Sequence, residues 1–246
     1  MNRYKKNKNL LIENFSYNEN MEHDACGVGM IACTDGKKSR KIVEYGVEAL
    51  KAIWHRGAVD ADGKSGDGAG MQIEIAPDFF REKIIATGHT PDERKRICVG
   101  MIFLPRTDYA DQEKCREIIE SVLLEENYSI YGWRQVPINS SVLGETAEQS
   151  RPEIAQVMFK KNENLATNDL ERNLFEARKK IEKLARENQL RNFYICSLSS
   201  RSIVYKGMFL AEMLAEFYPD LNDKKLTSRF AIFHQRYSTN TFPSWD

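Results

Sequence analysis

The chain carries no surplus of charge, few histidines and no long apolar run, and each shortage excludes a class of function. Its 36 lysines and arginines balance 36 aspartates and glutamates across 246 residues. No global field therefore steers it toward nucleic acid or an anionic membrane surface, and any partner is selected locally. No stretch approaches the roughly 20 consecutive apolar residues of a membrane span. The basic opening segment MNRYKKNKNLLIENFSYNEN also lacks the apolar centre of a secretory signal. These shortages predict a cytoplasmic protein with neither membrane nor nucleic-acid partners. The five cysteines, Cys26, Cys33, Cys98, Cys115 and Cys196, are odd in number and widely spaced, without a Cys-x-x-Cys pair. That argues against a disulfide framework and a structural zinc site, and leaves reduced thiols. His23, His55, His89 and His234 are too scattered to announce a metal site.

What is present is core-forming material. With 41% hydrophobic and 29% charged residues, the chain fits one large domain or two small ones. Residues 1–22 are rich in Asn and Lys with little apolar periodicity, which predicts a flexible leader. From Cys26 onward the pattern is regular. GVGMIAC (27–33) reads as a buried strand, and Val43, Val47, Leu50 and Trp54 recur at helical spacing. A Gly- and Asp-rich loop, RGAVDADGKSGDGAG (56–70), precedes an alternating strand, MQIEIA. ICVGMIFLP (97–105) is a continuous apolar strand. DQEKCREIIESVLLEEN is a helix whose inner face carries Cys115, Ile118, Ile119, Val122 and Leu123. Strands near 128–137 and 153–161, a long charged helix, a pair of strands through 192–207, a short helix and a last strand, RFAIFHQRYST, complete the set. Several strands follow one another through short turns, which predicts antiparallel sheets covered by helices, an α+β architecture.

The 56–70 loop superficially resembles a phosphate-binding loop, but five residues separate Gly57 from Gly63 where four are required, and Lys64 stands where a calcium loop needs an oxygen ligand. It is read as a structural loop that shapes a site. Cys26, before two near-adjacent glycines, could be a nucleophile, a metal ligand or a small core residue, and a dyad with His55 or His234 lacks a local signature. Cys33 is read as core. Arg56 ends an amphipathic helix, and Arg236 stands where a buried strand emerges beside Ser238, Thr239 and Asn240. An arginine there can fork onto a carboxylate while hydroxyls and amides fix the rest of an amino-acid-like ligand; a structural salt bridge is the alternative.

Together, ACGVGMIA, LKAIWHRGAVDADGKSGDGAG and RFAIFHQRYSTNTFPSWD resemble the N-terminal glutaminase domain of glutamate synthase large subunits, a class II (Ntn-type) glutamine amidotransferase. The resemblance implies a four-layer αββα sandwich, incomplete at its C-terminus. It also implies a leader or propeptide, 1–25, removed to expose Cys26, and an amidotransferase domain over 26–246. Cys26 is then the nucleophile. Arg56 lies near it, where its charge favours the thiolate, and Arg236 clamps the substrate α-carboxylate with Thr239 and Asn240 beside it. The chain stops at Asp246, inside the matched motif, before the family's oxyanion-hole and amine-binding residues. The resemblance therefore implies that the fragment alone is inactive. Glutamine is the implied small-molecule partner, no cofactor is expected within the fragment, and FMN and an iron–sulfur cluster belong to downstream synthase domains. A small reductase subunit is a further candidate partner. The alternatives are another class II amidotransferase, or a catalytically silent fold with a structural or regulatory role.

Overall fold

Two kinds of strand sequence sort into two sheets in the computed structural model, which describes residues 2–14, 18, 26–238 and 242–245. In chain order the elements are α1 (Asn2–Glu13), β1 (Gly27–Ala32), α2 (Arg40–Ala52), β2 (Ala69–Glu74), α3 (Pro77–Ala86), β3 (Cys98–Leu104), α4 (Tyr109–Glu125), β4 (Tyr128–Gln135), α5 (Glu145–Gln149), β5 (Glu153–Lys161), α6 (Thr167–Glu187), β6 (Tyr194–Ser199), β7 (Ser202–Gly207), α7 (Leu214–Phe217) and β8 (Phe230–Gln235). The first sheet has the order β1-β8-β2-β7 and the second β4-β5-β3-β6. All pairings are antiparallel. Two antiparallel sheets with helices packed on them make the α+β architecture that the sequence pattern predicts, in the sandwich form that the family resemblance implies.

The second sheet is buried on both faces. Every residue of β3 is buried, which is why its sequence is an unbroken apolar run. One face carries Cys98, Ile102 and Leu104 into a core with the inner stripes of α4 and α6. The stripe of α6 is Leu170, Leu174, Ala177, Ile181 and Ala185, three or four residues apart. The α4 stripe is the predicted Cys115, Ile118, Ile119, Val122 and Leu123, and its start is fixed by Asp108, whose carboxylate accepts from the Asp111 amide. The other face, with Val99, Met101 and Phe103, joins α2, α3, α7 and the first sheet in the larger core.

The first sheet alternates. Met71, Ile73, Tyr205, Ala231 and Phe233 turn into that core, while Gln72, Val204, Ile232 and His234 lie on the other, open face. A buried ion pair joins the sheets through the core: Arg134 on β4 donates twice to Asp220, at 2.8 and 3.0 Å, and once to Gln156 on β5, while Tyr205 on β7 donates to the same Asp220. Such a network orders the junction more than it adds net stability, because desolvation offsets most of the attraction.

Three expectations need correction. Strand β1 is not buried throughout: it is an edge strand with one face open, so Val28 and Met30 are 69% and 67% exposed. Cys33 lies just past its end, half-buried against the margin of the larger core rather than within it, with its thiol donating to Asp35 at 2.8 Å. Within the segment read as a flexible leader, residues 2–13 form α1, a helix that contributes to neither core. The rest of that segment, apart from residues 14 and 18, lies outside the described residues.

Candidate active site

Pairing of β1 with the central strand β8 puts the beginning of one beside the end of the other. Gly27 pairs with Gln235, so Cys26 and Arg236 sit one step beyond the last rung. The Tyr237 amide donates to the Cys26 sulfur at 3.4 Å, and the thiol reaches the Tyr237 carbonyl at 3.7 Å. Two segments 211 residues apart in sequence are thereby joined at the thiol. Period-two alternation assigns Cys26 and Arg236 to the open face of the sheet, with Val28 and His234.

Arg56 arrives from the other side. It closes the single 3₁₀ turn Trp54–Arg56 that follows α2, and its aliphatic stem lies over Gly27. A Cβ on Gly27 would stand 3.0 Å from Arg56 Cβ and 2.7 Å from Ile53 Cδ1. The glycine after the cysteine thus has a steric reason: any side chain there would collide with Arg56 and Ile53. Gly57 has a matching one, since its Cβ would fall 2.4 Å from the Gln235 side chain.

The 56–70 loop is the third wall. Asp62 organises it, accepting from the Lys64 and Ser65 amides and from the Ser65 hydroxyl, and also from the Thr146 amide. Those donors, the Ser65 hydroxyl foremost, hold its carboxyl well below the usual aspartate range. The loop then delivers Asp67 and Gly68 to the end of β8. The Gly68 carbonyl accepts from the Arg236 amide at 2.8 Å, and the Asp67 carboxylate accepts from the Ser238 amide. Arg236 Nη2 also approaches the Ser238 hydroxyl at 3.5 Å.

From Arg236 a trough of about 310 Å³ runs along the open face. Its floor is Gly68 and Gly70. Its walls are His234 on β8 and Lys206 on β7, the two residues that pair with Gly70 from either side. Trp245 closes one end; its indole donates to the Ala147 carbonyl at 3.0 Å and its ring packs on Phe103, Phe209 and Phe217. Neither Cys26 nor Arg56 lines this trough, so register and loop contacts, not the cavity, bring them to Arg236. Burial, then the charge of Arg236, lowers the pKa of His234 and favours its neutral form. Among the described residues the Cys26 sulfur bonds only to the Tyr237 backbone, and a thiol–imidazole dyad with His55 or His234 is not formed.

Residues 26–246 match the family of class-II glutamine amidotransferases, and the match begins at Cys26. The chain belongs to the class II glutamine amidotransferases. It is 54% identical over 230 residues to the large chain of an NADPH glutamate synthase from Azospirillum brasilense, covering 94% of this chain and 15% of the relative. It is 44% identical to a ferredoxin-dependent glutamate synthase of Pyropia yezoensis, covering 91% and 14%, and 38% identical to an NADPH glutamate synthase large chain of Bacillus subtilis, covering 94% and 15%. The chain thus spans about one seventh of the length of these relatives.

In this amidotransferase three of the five expected site residues, Cys26, Arg56 and Arg236, converge on the junction of β1, β8 and the end of α2. Thr239 and Asn240 lie outside the described residues. Two participants were missed from the sequence. Asp67 was one acid among several in a polar loop. Gln235 is fully buried between Gly57 and Gly68, donates to the Gly68 and Arg236 carbonyls, and has an Oε1 without a partner among the described residues. The one available signal was a polar residue at an inward position of an otherwise apolar alternating strand.

The three buried thiols are chemically quiet. Burial pushes Cys196 up to about 12, burial with the charge of Asp111 pushes Cys115 up to about 12, and burial with the charge of Glu171 raises Cys98 further. Brief treatment of the native protein with iodoacetamide is expected to label Cys26 and Cys33 and spare Cys98, Cys115 and Cys196. Peptide mass mapping reads the pattern, and rapid labelling of any of the three buried thiols contradicts this assignment.

Among the described residues no three His, Cys, Asp or Glu side chains are grouped to hold a metal ion. None of the helices described is long and apolar enough to cross a membrane.

Proposed function

We propose that the chain is the glutaminase part of a glutamate synthase, with Cys26 as nucleophile after cleavage between Ala25 and Cys26. Cleavage converts the Cys26 amide nitrogen into an α-amine with a pKa of about 8, which takes the thiol proton directly or through a water. The sulfur adds to the side-chain carbonyl carbon of glutamine. The carbon–nitrogen bond then breaks, and the nitrogen leaves as ammonia with the proton returned by the amine. Water hydrolyses the γ-glutamyl thioester to glutamate and restores the thiol.

Arg236 holds the substrate α-carboxylate through a two-pronged hydrogen bond, with Thr239 and Asn240 completing the polar lining. Arg56 keeps positive charge beside the reacting sulfur. Ammonia passes to 2-oxoglutarate in domains belonging to the rest of the protein, where FMN and an iron–sulfur cluster supply the electron transfer of the synthase reaction. A reductase subunit is a further partner there.

The observation that carries this reading is the Cys26 sulfur seated on the backbone that follows Arg236. The test uses the full-length processed polypeptide and a diazoketone analogue of glutamine. One equivalent of adduct is expected on Cys26 by mass spectrometry, and excess glutamine should prevent it. An adduct on another residue, or one that glutamine does not block, refutes the assignment.

A further inference from the structure

At the far end of β8 from Cys26 lies a second, larger cleft of about 850 Å³ whose charged lining residues are predominantly cationic. Arg229 and Arg236 are seven residues apart along an extended strand, so the cleft stands roughly 23 Å from the nucleophile's end of the sheet at about 3.3 Å per residue. Lys38 comes from the β1–α2 connection, Arg81 from α3, Lys95 and Arg96 from the approach to β3, Arg201 from the β6–β7 turn, and Arg229 from the start of β8.

The balance of charge is uneven. Glu74 is saturated by Arg229, which donates to it from Nε at 3.0 Å and Nη2 at 2.6 Å, with the Arg229 amide adding a third donor. Arg81 is paired with Asp78 and Glu93. Glu171 is taken up by the Ser199 and Ser200 hydroxyls and the Ser200 amide. Six cations thus face four carboxylates, an excess of two positive charges in a chain that is neutral overall.

The surplus has identifiable holders. Lys38 and Lys95 donate to neutral oxygens, the Ile75 carbonyl and the Asn162 and Asn164 oxygens. The guanidinium groups of Arg96 and Arg201 have no hydrogen-bond or ion-pair partner among the described residues. Between them open the Thr167 and Ser202 side chains and the first turn of α6, whose cap residue, Ala166, offers no side-chain acceptor to the helix amides. Planar guanidinium forks, hydroxyls and amide donors together match the oxygens of a phosphoryl group. The cleft is several times larger than one such group, which leaves room for the remainder of an organic molecule.

We infer that this cleft binds a phosphorylated small molecule carrying about two negative charges, with Arg96 and Arg201 as its principal contacts. The inference does not depend on the chemistry proposed for Cys26.

Inorganic pyrophosphate serves as the probe, titrated calorimetrically into the full-length protein at low ionic strength. Saturable binding of one equivalent is expected. It should weaken at least tenfold in Arg96→Ala/Arg201→Ala, and much less in Arg96→Lys/Arg201→Lys, which keeps the charge. Both side chains are exposed, and an unchanged thermal melt separates lost binding from lost folding. No saturable binding, equal binding by the alanine variant, or binding lost instead in Arg236→Ala overturns the proposal.

Discussion

Cys26→Ala is expected to leave glutamine hydrolysis undetectable in the full-length enzyme, and so is any change that keeps residues 1–25 attached. Removing the nucleophile of an acyl-transfer site costs on the order of 10⁶-fold in kcat, because the remaining groups can bind but have nothing to add to the carbonyl. Retaining the leader acts on a different atom of the same residue. The sulfur is still present, but the nitrogen is an amide and cannot accept a proton. The two failures are distinguishable: the uncleaved enzyme keeps a thiol at position 26 that alkylates, while the alanine variant has none there. Ammonia release measured on both, beside mass determination of the mature N-terminus, checks the prediction. Undiminished hydrolysis in either one rules out the N-terminal cysteine mechanism.

Arg236→Ala is expected to lower kcat/KM for glutamine by about 10²-fold or more, since losing a charge-assisted fork to a carboxylate in a partly buried site costs about 2–5 kcal/mol. The α-carboxylate is remote from the bond that breaks and is held alike in ground and transition state. The loss should therefore fall mainly on KM. Arg236→Lys restores charge without the fork and should recover only part of it. Because the Arg236 amide, not its side chain, bonds to Gly68, neither substitution removes the contact that positions the strand end. Steady-state kinetics on the three proteins decides the point: an unchanged KM in Arg236→Ala removes Arg236 from the substrate clamp.

Much of the second sheet was legible because its elements are defined locally. The unbroken apolar run of β3 and the inner stripe of α4 each follow from periodicity within one segment, and both are found as expected. The first sheet was less legible. GVGMIA has the same apolar content as a buried strand, yet its exposure depends on β1 being at the edge of a sheet and on that sheet's outer face being open. No local pattern encodes either circumstance. Cys33, read as core, sits at the margin of the larger core for the same reason. The helical geometry of residues 2–13 lacks an apolar stripe because it packs on neither core.

For the site, the sequence by itself determined the cast: a cysteine before small residues, an arginine ending a helix, an arginine ending a strand, and three motifs in the order of a class II amidotransferase. Those are properties of short segments and of their succession. Only the tertiary structure decided that Cys26 meets Tyr237 across 211 residues, that Gly27 makes room for Arg56, that Asp67 and Gln235 hold the strand end, and that six cations from five segments of the chain gather at the opposite end of β8. The physical reason is common to all four. Antiparallel register converts distance along the chain into adjacency across a sheet, and where the rungs stop is set by packing that no single segment contains.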